Sequence, residues 1–281
     1  MAHIWEGVMP AVTTKFNADF SIDRAWTAKN IDAQIDAGVD GIIVCGSLGE
    51  ASTLSLDEKL EVLDIAVEAA RGRVPVLLTI AENGTLDGCR QAERGAKHGA
   101  AGYMVLPGLR YLSDRRETLN HFRMVADASP LPLMVYNNPL AYGVDVTPKM
   151  FAELAEDRTF AAIKESSGDV RRITDLINEV GDRYALFCGV DNLAMEAMLM
   201  GARLGRGPRV RVSARDGGDQ QANSRRTHRG SARDLSLVRA DARARCLEQA
   251  GAEHQARGSD RWARHGAGAA AASAARGRRA S

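Results

Sequence analysis

One pattern constrains this chain more than any other. Through residue 202, short continuous apolar runs alternate with helix-length amphipathic stretches. The runs are MPAVTT (9–14), GIIVCG (41–46), VPVLLTIA (74–81), GYMVLP (102–107), LPLMVYNN (131–138), FAAIKES (160–166) and YALFCGVD (184–191). Strands with one wet face alternate polar and apolar residues; continuous runs fit strands buried on both faces, as in a parallel sheet covered by helices. The intervening stretches carry helix-start signals. Ser55 followed by Glu58 is a capping-box pattern, and Thr147-Pro148 reads as an N-cap and a first helical residue. Seven βα units with right-handed crossovers give a doubly wound sheet or a closed barrel. No GxGxxG follows the first run, so dinucleotide binding has no support. The expected fold is α/β, a (β/α)8 TIM barrel with its eighth strand and C-terminal helices lost or replaced.

The pattern stops near Gly201-Ala202. Residues 203–281 hold 18 arginines, seven acidic residues and no Lys, Ile, Phe, Tyr or Met. Their net charge of +11 offsets −10 in the remainder, so the overall +1 hides two differently composed segments. Residues 1–202 are expected to be a catalytic barrel domain with seven recognisable units. Residues 203–281, an Arg/Ala/Gly-rich segment without sustained periodicity, read as disordered or as the product of a frameshift in GC-rich DNA. A basic tail for a polyanion is the rival reading, but Trp262 is the one aromatic among these arginines, so no nucleic-acid partner is expected.

Other classes are narrowed by composition. Cys45, Cys89, Cys188 and Cys246 show no CxxC or His-paired spacing, so no metal site is expected and free thiols in a reducing, cytoplasmic setting are. Cys45 and Cys188 lie in apolar runs and are expected in the core. MAHIWEGVMP lacks the charge and apolar length of a secretion signal, and no uncharged apolar stretch suffices to span a bilayer.

Candidate chemistry lies where the runs end, because in barrels the strand C-termini build the active site. Lys164 stands near the end of the sixth run, FAAIKES, an expensive place for a charge. A strand-end lysine can snorkel into water; a buried one has a lowered pKa and offers a neutral amine to a carbonyl. Lys15 is a weaker rival, and Lys29, Lys59, Lys97 and Lys149 in helical stretches are expected to be solvated. The second run ends in GSLGE (46–50), where Gly46 and Gly49 allow a tight turn and N–H groups beside Ser47 can hold a carboxylate; an ordinary glycine-rich turn reads the same way. The fifth ends in VYNNP (135–139), where Tyr136 is either a core residue or an acid/base at the barrel mouth.

GSLGE (46–50), YNNP (136–139) and IKESSGD (163–169), in this order and spacing, resemble the dihydrodipicolinate synthase/N-acetylneuraminate lyase family of Schiff-base aldolase barrels over residues 1 to about 202. The resemblance implies a lyase acting on a 2-oxo acid without a cofactor: Lys164 forming the imine, Tyr136 moving protons, Ser47 relaying them and binding the carboxylate, with Leu48 beside it. It also implies a homo-oligomer, a tetramer in the family. There are departures. Leu48 stands where the family often has Thr or Ser. The tyrosine that the family's dihydrodipicolinate synthases lend to a neighbouring subunit falls at Leu109, and their substrate-binding arginine at Ala141. Both losses argue against true dihydrodipicolinate synthesis and for a lyase, dehydratase or deaminase of a small substituted 2-oxo acid; an inactive frameshift product is the remaining alternative.

Overall fold

The computed structural model describes residues 5–202, so the expectations for 203–281, the eighth strand included, lie outside the described residues. Six parallel strands run in sequence order: β1 (Ile42–Val44), β2 (Val76–Ile80), β3 (Gly102–Val105), β4 (Leu133–Asn137), β5 (Phe160–Glu165) and β6 (Ala185–Cys188). They curl as part of a TIM barrel. Helices α1 (Arg24–Asp36), α2 (Leu56–Ala70), α3 (Thr85–Lys97), α4 (Arg115–Ala128), α5 (Pro139–Tyr142), α6 (Pro148–Leu154), α7 (Arg171–Val180) and α8 (Ala194–Leu199) precede, connect or follow them.

The first apolar run falls short of a named strand. It makes one parallel bridge, Ala11 opposite Ile43, with Val12 N donating to Ile43 O and Ile43 N to Pro10 O, each at 2.9 Å. It occupies the expected place beside β1, but Pro10 has no N–H with which to extend the ladder. Lys164 therefore lies on β5.

The continuous apolar runs are explained by two separate cores. Toward the helices face Ile42, Val44, Leu78, Tyr103, Val135, Ile163 and Leu186, packed with helix residues such as Leu63, Phe122 and Phe151. Toward the barrel interior face Ile43, Leu77, Met104, Met134, Ala162 and Ala185, with Tyr136 and Phe187 one level above. Alternate residues thus meet different apolar partners, and most strand positions are buried. An irregularity between Leu133 and Met134, opposite Phe160 and Ala162, sets the register that aligns Tyr136, Lys164 and Phe187 across β4, β5 and β6.

The helix signals hold. Ser55 accepts from Glu58 N while the Glu58 carboxylate accepts from Ser55 N at 2.7 Å, the reciprocal cap that starts α2. Pro148 opens α6 after Thr147, whose side chain makes no cap bond.

Candidate active site

Strand alternation explains why Lys164 and Glu165 sit side by side in sequence without neutralising each other. Their side chains leave opposite faces of β5. Glu165 turns to the helix layer and is buried, with Asn137 Nδ2 donating to one carboxylate oxygen at 2.9 Å and Ser167 N to the other at 2.6 Å. Asn137 also accepts from Val146 N at 2.9 Å and donates to Asp145, which Arg172 clamps with two bonds of 3.0 and 2.9 Å. This network ties the ends of β4 and β5 together and fixes the residues that point the other way.

Those residues are Tyr136 and Lys164. The Lys164 ammonium nitrogen lies 4.5 Å from the centroid of the Tyr136 ring. Among the described residues it makes no ion pair. Burial lowers its pKa below the ordinary lysine value, and the more distant Asp191 carboxylate partly opposes that shift. The outcome is an amine that loses its proton more readily than a solvated lysine, beside a ring that tolerates its charged form. Gly189 closes the other side: a Cβ there would stand 2.9 Å from Lys164 Cε and 2.0 Å from Ser166 Oγ, so only glycine leaves the lysine its present path. Ser166 Oγ is buried there without a hydrogen-bond partner among the described residues.

Ser47 is exposed and reaches the same cluster, hydrogen-bonded through its hydroxyl to Tyr142. Tyr142 went unsingled in the sequence, although its placement is written locally. Asn138 caps α5 by accepting from Ala141 N at 3.1 Å, Pro139 opens it, and Gly143, at φ 73°, ends it in the left-handed conformation. This single turn folds Tyr142 back onto Tyr136, edge to face, with centroids 5.8 Å apart. Asn138 serves twice, because its amide also donates to the Tyr136 hydroxyl at 3.0 Å. The Tyr136 proton is thereby left to point elsewhere.

Other residues around the strand ends and in the helices lie as follows. At GSLGE the left-handed backbone belongs to Cys45 (φ 54°), just before it, and to Glu50 (φ 58°), not to the glycines. Gly49 is required for closeness instead, since a Cβ would meet Val12 O at 3.0 Å and Cys45 N at 3.1 Å. Leu48 projects outward, 68% exposed. Lys59 is not solvated: it is 4% exposed and pairs with Glu82 just beyond β2. Lys29, Lys97 and Lys149 are exposed as expected. Cys45 is a core residue whose thiol burial pushes up to about 12, while Cys188 is only partly buried. Leu109 is partly buried against the interior core, and Ala141 is exposed on α5. Arg110 and Tyr111 both lie exposed, with the guanidinium 5.9 Å from the Tyr111 ring. Among the described residues no cluster of His, Cys, Asp and Glu is arranged to hold a metal, and no helix is long and apolar enough to cross a membrane.

Known proteins resemble this chain in sequence and in fold. The 4-hydroxy-tetrahydrodipicolinate synthase of Methanococcoides burtonii is 34% identical over 199 residues, covering 70% of this chain and 68% of that protein. Its counterpart from Pelobacter propionicus is 33% identical over 199 residues, 71% of this chain and 68% of that one. Among solved structures, dihydrodipicolinate synthase DapA-2 from Bacillus anthracis superposes with a TM-score of 0.70 at 29% identity, covering 72% of this chain and 69% of its own. YagE, a prophage protein of the dihydrodipicolinic acid synthase family from E. coli K12 in complex with pyruvate, gives 0.69 at 30% identity, covering 71% and 68%. The model of the dihydrodipicolinate synthetase family matches residues 5–214, and the chain belongs to that family.

Proposed function

We propose that this chain is a Schiff-base-forming lyase of a small 2-oxo acid. The observation that carries the reading is Lys164: a half-buried amine near a strand end, without a carboxylate in contact among the described residues, held over the Tyr136 ring. A neutral amine adds to a ketone; loss of water leaves a protonated imine, which draws electrons from the adjoining carbon so that a bond beyond it can break. Tyr136 would carry protons between substrate and solvent, and Ser47, with neighbouring backbone N–H groups, would hold the carboxylate. Family membership supports this chemistry, as does the pyruvate bound by YagE. Borohydride added with pyruvate should fix a covalent adduct whose mass maps to Lys164. Absence of that adduct would end the reading.

The bond broken is read from two departures. The curated relatives are named as synthases, but Leu109 and Ala141 stand where the family's synthases place a tyrosine and an arginine for a second substrate. One-substrate cleavage, dehydration or deamination therefore fits better than condensation. A coupled assay with pyruvate and aspartate semialdehyde should show negligible condensation; efficient condensation would refute the reading of these two residues. A cytoplasmic homo-oligomer is part of the same proposal, testable by sedimentation and fractionation.

A second reading has its own observation, the change of composition after Ala202. It makes the chain an inactive frameshift product. Resequencing the DNA around codon 202 tests it, and an unchanged frame would sink it.

A further inference from the structure

Three hydroxyl side chains of graded exposure cluster at the candidate site. Tyr136 is 9% exposed, Tyr142 is half-buried, and Ser47 is exposed. Tyr142 is joined to Ser47 by a hydrogen bond and packs its ring edge to face on Tyr136. The Asn138 cap, Pro139 and Gly143 form the local turn that holds it six residues from Tyr136 in the same chain. We propose that Tyr142 links Tyr136 to Ser47 in the proton path of this site, supplied by the chain that supplies the amine. The proposal rests on the Schiff-base reading above and deepens it.

The surroundings fit such a role. Burial raises the Tyr142 pKa, the bond to Ser47 pulls it down, and the neighbouring Tyr136 phenol raises it further. A phenol kept neutral can pass a proton on without holding a charge. When pyruvate bound as a protonated imine loses a proton from its methyl carbon, the C–H electron pair becomes the new C=C bond and the imine pair returns to nitrogen. Tyr136 accepts that proton as its own moves to Tyr142, that of Tyr142 moves to Ser47, and that of Ser47 moves to water. Each hydroxyl gives one proton and receives one, so none is left ionised. The reverse sequence returns a solvent proton to carbon. Tyr142 acts through Tyr136 and is a positioning and relay residue rather than a group that touches substrate.

The test separates proton transfer from imine formation. The 281-residue protein, its Tyr142→Phe variant and a Leu140→Ala control on the exposed part of α5 are incubated with pyruvate in D2O. Exchange of the methyl protons is followed by NMR, and borohydride-trapped adduct on Lys164 by mass. Phenylalanine keeps the ring contact and removes the hydroxyl. The expected result is exchange slowed roughly tenfold or more in Tyr142→Phe, with the final yield of adduct unchanged and the Leu140→Ala control exchanging normally. Exchange at the unaltered rate would overturn the relay and leave the imine reading standing. A parallel fall in exchange and adduct, or equal slowing in Leu140→Ala, would make Tyr142 structural and also overturn it. No adduct in the unaltered protein would overturn the imine reading, and the relay with it.

Discussion

Two lysines are withdrawn from water in this molecule, Lys59 buried and Lys164 half-buried, and their surroundings differ in a way that bears on chemistry. Lys59 lies on α2, between helix and sheet, 4% exposed, with the Glu82 carboxylate in contact. Lys164 lies on the interior face of β5, with an aromatic ring in contact and no carboxylate among the described residues. Burying an ammonium is costly, and there are two remedies: give it an anion, or let it lose its proton. The outer site takes the first. The inner site moves toward the second, which is the state a carbonyl can react with. On the proposed reading, withdrawal from water alone does not mark the reactive lysine; the missing anion does. Glu165 could have provided one, but the alternation of the strand sends it to the other face.

The largest expected break in this comparison is Lys164→Ala, which should abolish borohydride trapping of pyruvate, whereas Lys59 should never carry the adduct. Next is Tyr136→Phe: turnover should fall about 10²-fold if the phenol transfers protons, measured on whichever 2-oxo acid is cleaved. Gly189→Ala should displace the lysine without removing it, slowing adduct formation by something approaching ~10²-fold; an unchanged rate would mean that the Lys164 side chain has room to move. Glu82→Ala tests the outer site. It strands the Lys59 ammonium and should destabilise folding by about 3 kcal/mol, read by urea unfolding, while the folded fraction still forms adduct.

The smallest effect is a displacement in pH. Because the Lys164 pKa is lowered, adduct formation should rise with pH through a midpoint below the usual lysine value of about 10.4. Asp191 opposes the lowering, so Asp191→Asn should move that midpoint further down. The sign for stability follows. Between the lowered folded value and the ordinary unfolded one, the unfolded chain binds more protons, so this group's contribution to stability increases as pH rises through that window. A midpoint at or above the ordinary value would erase the distinction between the two lysines.

The sequence by itself determined the parallel α/β architecture, since runs apolar on both faces leave few other solutions, and it placed Lys164, Tyr136 and Ser47 at strand ends. It determined the start of α2 through Ser55 and Glu58 and that of α6 at Thr147-Pro148, because caps and prolines act over a few residues. It did not disclose what distant residues meet. Lys59 looked solvated because nothing in its own helix announces Glu82 beyond the next strand. Tyr142 was bounded by legible signals, yet that it faces Tyr136 and bonds to Ser47, 95 positions away, is a fact of packing. The role of Gly189 is likewise invisible until Lys164 and Ser166 crowd it. Propensity, capping and periodicity are local energies that a short window contains; burial, pKa and contact between strand ends depend on which segments the barrel brings together, and only the tertiary structure decides that.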